Sequence, residues 1–263
     1  MLTPDDKRRG WTRSELILAF NLYCQIPFGR IHNRNPQIIE LAARIRRSAS
    51  AVSWKLANLA RLDPTLAKRD IKGASHGSKQ DELIWKEFEG NWEALAFESE
   101  MLRFETFGHL SEVSSLGKEV IAQDFPEGRT REALVRVRIN QNFFRRAVLS
   151  AYGGKCCITG IDIPELLNAS HIIPWSVDIP NRTNPQNGLC LNVFHDRAFD
   201  NGLITLSDDF TIRLSPKITA KEGTARKSML LDYNGAVIQM PEHFLPSQVF
   251  LRYHREHIFQ HKV

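Results

Sequence analysis

The stretches NASHIIPW (residues 168–175) and NGLCLNVFHDRAFDNG (residues 187–202) determine how the second half of this chain can fold. Apolar residues surround His171 in the first stretch, and a polar loop separates the two. Asn187 and the glycine after it open a second apolar run, which leads directly to His195. This pattern predicts a strand, a loop, a second strand and a short helix, with one imidazole on the first strand and one on the helix.

The two stretches resemble the motif of the HNH endonucleases, whose His, Asn and His would here be His171, Asn187 and His195. The flanking sequences CITG (residues 157–160) and FDNG (residues 199–202) extend the resemblance. It implies a ββα-metal fold, in which a hairpin carries the first two residues and the following helix carries the third. It also implies phosphodiester hydrolysis with a divalent metal ion, Mg²⁺ being expected and Mn²⁺ being the alternative.

Phosphodiester hydrolysis gives each of these three residues a task. A base must take a proton from water, and imidazole, with an unperturbed pKa of ~6.5, can do so near neutral pH. His171 is the candidate base. A bound divalent cation can stabilise the negative charge that builds on the phosphate, and His195 would help to hold it. By resemblance Asn187 has an orienting role, because its amide can tie the loop to the backbone and fix the angle of His171.

One position departs from the family pattern. Many HNH proteins place an Asp or His ligand just before the base, where this chain has Ser170. Asp200 could replace that ligand, although a spacing of five residues after His195 matches one helix face less well than a spacing of four. Asp200 is equally understood as a turn residue in Asp-Asn-Gly. Both interpretations stay open.

The charges of the chain are segregated along its 263 residues, whose net charge is +5. Lysines and arginines number 13 against 6 acids in residues 1–70, 5 against 12 in residues 71–127, and 17 against 12 in residues 128–263. Two basic ends separated by an acidic middle favour two modules that face nucleic acid. A basic balance is also common in proteins that only gain solubility from it.

The four cysteines form no C-x-x-C pair, so no structural zinc ribbon is expected. The apolar runs are far shorter than the ~18 to 20 residues of a membrane span. The first residues lack the apolar core of a signal peptide. We therefore expect a cytoplasmic protein that does not enter a membrane.

The sequence of the N-terminal part predicts a helical module. A capping sequence at Thr12 opens a helix that runs to Gln25, and a second helix covers residues 37–47. A short turn at residues 48–50 leads to a third helix over residues 51–62, an outline typical of a helix-turn-helix. Its second helix would place four outward residues in the major groove of DNA: Ser53, Lys55, Asn58 and Arg61. The alternative is a helical bundle with a solvated basic face.

Three further arginines are candidates for phosphate contact. Arg136 and Arg138 lie in a predicted strand or loop before a helix, although that basic segment could equally be a solvated face. Arg182 lies in the loop between the two motif strands, where it could clamp a phosphate or brace the loop. Beyond the motif, residues 202–214 predict a hairpin and residues 246–260 a closing helix. Residues 229–240 predict another strand pair, or a strand and a turn.

These observations predict an α+β protein with a helical module at residues 1–107, a linker at 108–128 and an HNH nuclease domain at 129–263. The first functional hypothesis is a metal-dependent endonuclease that cuts double-stranded DNA. Residues 39–64 also resemble the N-terminal region of bacterial HNH proteins assigned to restriction, which implies a role in restriction or phage defence. A second hypothesis is a DNA-binding regulator with an inactive HNH domain. Since one active site cuts one strand, a homodimer would explain duplex cleavage.

Overall fold

The computed structural model describes residues 9–69, 77–107, 131–219 and 224–262. The chain divides into two compact units, Met1–Ala147 and Val148–Val263, which are described separately. The first is helical and the second combines helices with small antiparallel sheets, so the fold is α+β, as predicted. None of the helices in the described ranges has the length and apolar character that a membrane span requires.

The first unit is built around a buried helix, α1 (Arg13–Gln25). The predicted capping box is present at its start, where Thr12 accepts from the backbone N–H of Glu15. Phe20 of α1 stacks on Trp85 at 4.9 Å between ring centroids and meets Trp92 edge-on at 6.1 Å. The other helices of this unit are α2 (Pro36–Arg44), α3 (Ala49–Ala60), α4 (Pro64–Lys68), α5 (Lys79–Phe88), α6 (Trp92–Phe107) and α7 (Arg131–Ala151). Helix α7 continues for four residues beyond the last residue of the first unit, Ala147.

Helices α2 and α3 form the predicted pair, but the prediction that Lys55 faces outward from α3 is wrong. Lys55 is buried, and its Nζ lies 2.6 Å from Oδ1 of the fully buried Asp81 on α5. The guanidinium of Arg61 also contacts α5, where Nη2 lies 3.2 Å from Oε1 of Glu82. Asn58 is half-buried. The cause is that α3 packs against α5, whose carboxylates draw these cations inward.

Arg136 and Arg138 lie within α7 and not in a strand or loop, so that prediction is also wrong. Helical spacing buries Val137, Phe144 and Val148 together, and this apolar stripe stabilises a helix. The division between the two units falls inside α7. The predicted linker at residues 108–128 lies outside the described residues, and the predicted domain boundaries stay predictions.

The second unit contains the predicted hairpin and helix. Strands β1 (Leu167–His171) and β2 (Gly188–Asn192) pair antiparallel, with His171 opposite Gly188. Helix α8 (Val193–Asp200) follows β2 directly. A second hairpin follows, β3 (Ile204–Leu206) with β4 (Ile212–Leu214). The remaining helices are α9 (Pro216–Thr219), α10 (Thr224–Met229) and α11 (Gln248–His257).

Of the two structures predicted for residues 229–240, a strand pair or a strand and a turn, the strand pair is not formed. Helix α10 ends at Met229, a 3-10 turn covers Leu231–Tyr233, and a single bridge joins Thr211 to Val237. The backbone N–H of Gly235 bonds to the carbonyl of Ile212 at 2.9 Å. Residues 229–238 therefore form an irregular segment that lies along the second hairpin.

Candidate functional site

His171 is the last residue of β1, and its ring is held in one orientation. Its Nε2 lies 3.0 Å from the carbonyl oxygen of Arg182, and its ring meets Trp175 edge-on at 5.6 Å. A carbonyl only accepts, so the neutral ring carries its proton on Nε2 and keeps a lone pair on Nδ1. Burial lowers the pKa of His171 to about 4, against the raising effect of the Arg182 carbonyl. The ring is therefore neutral near pH 7 and can accept a proton at Nδ1.

Asn187 is fully buried and clamps the chain just after His171. Its Oδ1 accepts from the backbone N–H of Ile173 at 2.8 Å, and its Nδ2 donates to the carbonyl of the same residue at 3.1 Å. Its own carbonyl accepts from the N–H of Ile172 at 2.9 Å. The amide thus ties the segment after β1 to the start of β2, which is the arrangement that an orienting role needs.

Arg182 braces the loop between the motif strands. Its Nε donates to the carbonyl of Trp175 at 2.6 Å, and its guanidinium carbon lies 5.1 Å from the centre of the Trp175 ring. Its backbone carbonyl is the group that holds His171. Of the two interpretations made from the sequence, bracing is observed, and a phosphate clamp stays a proposal.

His195 lies in the first turn of α8, where it is buried and held on both sides. Its Nδ1 lies 3.1 Å from Oδ1 of Asn192, the same oxygen that caps α8. Its Nε2 lies 2.9 Å from the carbonyl oxygen of Met229, and its ring meets Tyr233 edge-on. Burial lowers the pKa of His195, with the Met229 carbonyl acting in the opposite direction. Because both facing atoms are acceptors, the neutral ring can donate to only one of them.

Asp200 is the last residue of α8, four residues after Asp196. Desolvation raises the pKa of Asp200 to about 6, and the negative charge of Asp196 adds to the effect. Asp196 itself accepts from Nδ2 of Asn168 on β1 at 2.7 Å. Two carboxylates thus lie along one face of α8, while His195 is turned towards Met229.

A divalent ion needs several ligand side chains that face one point, and the side chains around His195 can be compared with that requirement. Within the described ranges, no group of three His, Cys, Asp or Glu side chains could hold one. Each ring nitrogen of His195 faces a protein oxygen. At the position before the base, where the sequence comparison expected a ligand, Ser170 is buried and its hydroxyl has no hydrogen-bond partner in the part of the chain described. The residues as arranged therefore do not fit the ion, and one His195 nitrogen would have to leave its partner to bind it.

The predicted nucleic-acid-binding residues of the first unit make contacts within that unit. Lys55 and Arg61 are paired with the carboxylates of α5. Arg136 is exposed, lies 3.5 Å from Glu93 and stacks over an aromatic ring of α6. Arg138 is half-buried on α7. Each of these contacts lies within the first unit.

Sequence reasoning missed three groups that position the histidines. Asn192 was detectable, because an Asn directly before a short helix is an N-cap signal. The other two are the backbone carbonyls of Arg182 and Met229. Carbonyls are present at every residue, so no sequence signal could have identified them.

Comparison with known proteins supports the motif. Residues 156–207, which contain β1, β2, α8 and β3, match the family model described as HNH endonuclease. No curated protein matches the chain.

Proposed function

We propose that this protein is a metal-dependent endonuclease that acts on double-stranded DNA, because residues 156–207 match the family model described as HNH endonuclease. The observation that carries the proposal is the geometry of His171. Its Nε2 is anchored on the Arg182 carbonyl, its pKa is lowered to about 4, and its Nδ1 keeps the lone pair that a general base needs.

In the proposed reaction, Nδ1 of His171 takes a proton from water as the water attacks phosphorus. One P–O ester bond breaks, and the leaving sugar oxygen takes a proton from solvent. The imidazolium that forms keeps its Nε2–H on the Arg182 carbonyl, which stabilises the positive charge. Asn187 holds the adjoining backbone and so limits the swing of the ring. The proposed cofactor is Mg²⁺, since HNH nucleases generally use a divalent ion. His195 and Asp200 are its proposed ligands, although neither is arranged for it here.

Cleavage should require a divalent ion. We expect the full-length protein to nick supercoiled plasmid in Mg²⁺ or Mn²⁺ and to lose this activity in excess EDTA. Returning Mg²⁺ in excess should restore cutting, which separates metal loss from unfolding. The matched control is His257→Ala, an exposed histidine of α11 outside the site, which should cut at the wild-type rate. Full activity in excess EDTA would contradict the metal requirement.

A second candidate function is a DNA-binding regulator whose HNH domain is inactive. The observation that favours it is that both nitrogens of His195 face protein oxygens, while Ser170 stands where a ligand was expected. The same plasmid assay distinguishes the two functions. A regulator would bind DNA in Mg²⁺ and in Mn²⁺ and leave the phosphodiester backbone intact in both.

The pH dependence of cleavage should show that His171 is an unusually weak base. Because its pKa lies at about 4, the ring is neutral throughout the range of about pH 5.5 to 8.5 and activity should be lost only as the pH falls towards that pKa. Single-turnover cleavage rates at saturating Mg²⁺ should therefore not increase with pH in the region of pH 6.5. An inflection near pH 6.5 that disappears in His171→Ala would contradict this assignment.

The proposal extends to restriction or phage defence, supported by the resemblance of residues 39–64 to the N-terminal region of HNH restriction proteins. It includes a homodimer, since two sites are needed to cut both strands at once. It also includes a cytoplasmic location, which fits the four free thiols at Cys24, Cys156, Cys157 and Cys190.

A further inference from the structure

Trp54 is exposed on α3, the second helix of the helix pair. Of its surface, 66% is accessible to solvent, whereas Trp85 and Trp92 of the same unit are buried in the core. An exposed side chain of this size leaves a large apolar ring in water, which is unfavourable unless a ligand covers it. The exposure therefore identifies a candidate contact surface.

The surroundings of Trp54 are cationic. Residues 28–54 contain five arginines and one carboxylate, Glu40. Arg47 is turned inward to Glu15, 2.8 Å away, but Arg30, Arg34 and Arg46 are exposed. The surface thus carries an excess of positive charge that nothing within residues 28–54 balances.

One hydrogen bond joins the loop that carries two of these cations to the helix that carries Trp54. Nδ2 of Asn33, between Arg30 and Arg34, donates to Oγ of Ser50 in the first turn of α3 at 3.3 Å. Ser50 and Trp54 are four residues apart on that helix and so share a face. Arg46 lies in the turn just before α3, in a left-handed conformation with φ of 53°. We group the exposed ring and these three arginines as one candidate surface, the Trp54 surface (Arg30, Arg34, Arg46 and Trp54).

We propose that the Trp54 surface binds a nucleic-acid strand, with an unpaired base stacked on the ring and with phosphates contacted by the arginines. A ring set among cations is the arrangement by which proteins hold single strands, because every base has a face to stack and every nucleotide has a phosphate. The excess of positive charge favours this ligand, because a nucleic-acid strand carries a negative phosphate at every nucleotide. The inference goes beyond the proposed function and holds even if the HNH domain does not cut.

The cations of α3 that contact α5 offer an internal comparison. Lys55 and Arg61 are paired with carboxylates of α5. Leu83 on α5 is as exposed as Trp54, at 65%, but has no aromatic ring. It is therefore an apolar side chain of matched exposure that offers no face for a base to stack on.

The test is fluorescence anisotropy of a labelled oligothymidylate with the full-length protein in excess EDTA, alongside a duplex of equal length. We expect the wild-type protein to prefer the single strand. Trp54→Leu should weaken single-strand binding roughly ten-fold or more, since stacking on an aromatic ring contributes about that much per base. Trp54→Phe should keep most of the affinity, and Leu83→Ala should change nothing. Arg34→Gln should make the slope of log affinity against log salt concentration shallower by about 0.7, the value for one phosphate on a single strand.

The proposal is overturned if Trp54→Leu binds the single strand as tightly as the wild-type protein, or if Leu83→Ala weakens it equally. A preference for the duplex that is insensitive to Trp54→Leu also overturns it, and points to a protein partner for the ring. Because binding is measured without a divalent ion, the result does not depend on cleavage. A protein that never cuts, yet binds through Trp54, contradicts the proposed function and supports this inference.

Discussion

Replacing His171 with alanine should slow single-turnover cleavage of DNA by roughly 10² to 10⁴-fold, the usual contribution of a positioned proton acceptor. The reason is the fixed geometry of the ring, whose Nε2 is held on the Arg182 carbonyl and whose Nδ1 carries the lone pair. Alanine offers no group that can take the proton from water. Metal affinity and DNA binding should change little, because the ring is not proposed to bind either.

Rates should be measured with excess enzyme on supercoiled plasmid, with DNA binding and thermal unfolding recorded for the same samples. The unfolding control is needed because His171→Ala also removes the hydrogen bond to the 175–182 loop. His257→Ala serves as the surface control, since this histidine of α11 is exposed and its Nδ1 lies 3.0 Å from the carbonyl of Tyr253 in the same helix. Wild-type rates from His171→Ala, with the fold intact, would show that the base is a different group.

The order of elements around His171 was predictable because each boundary has a local cause. Short apolar runs predict the two strands, and the Asn187-Gly188 pair marks the start of the second. The capped helix then begins directly after Asn192. Such signals act over a few residues and are therefore visible in a single sequence, so the hairpin and helix are found where they were expected.

The faces of the N-terminal helices were less predictable, because they depend on distant partners. Lys55 is 26 residues from Asp81, and nothing near it in sequence indicates that a buried carboxylate will face it. Its ion pair turns one face of α3 inward and leaves Trp54 on the other. Hydrophobicity alone predicted the opposite, since a tryptophan is expected in the core and a lysine in solvent.

Alternation misled the prediction at residues 136–139, where Arg-Val-Arg-Ile has the period of a strand. Over a longer window, Phe143, Phe144 and Ala147 add to Val137 and Ile139, and all five are buried in α7. The longer helical stripe buries more apolar surface than a four-residue strand could. A short window therefore cannot distinguish the two periods.

Replacing His195 with alanine should weaken divalent-ion binding and slow cleavage, and raising the Mn²⁺ concentration should restore part of the rate. The physical reason is that a lost ligand lowers metal affinity, which a higher ion concentration offsets by mass action. The variant should also be less stable, by about 1 to 3 kcal/mol, because one buried acceptor, at Asn192 or Met229, loses the donor that the ring supplies. Calorimetric metal titration, denaturant unfolding and single-turnover rates across Mn²⁺ concentrations measure the three effects separately.

The comparison with His171→Ala decides between the roles of the two histidines. Loss of the base cannot be offset by more metal, so its rate should stay low at every Mn²⁺ concentration. If His171→Ala is the variant that Mn²⁺ rescues, the two roles must be exchanged. If His195→Ala loses stability but keeps wild-type metal affinity, the contacts to Asn192 and the Met229 carbonyl are the whole function of this ring. The segment at Met229 would then only stabilise α8 through its contact with His195, and the ion would have to bind elsewhere.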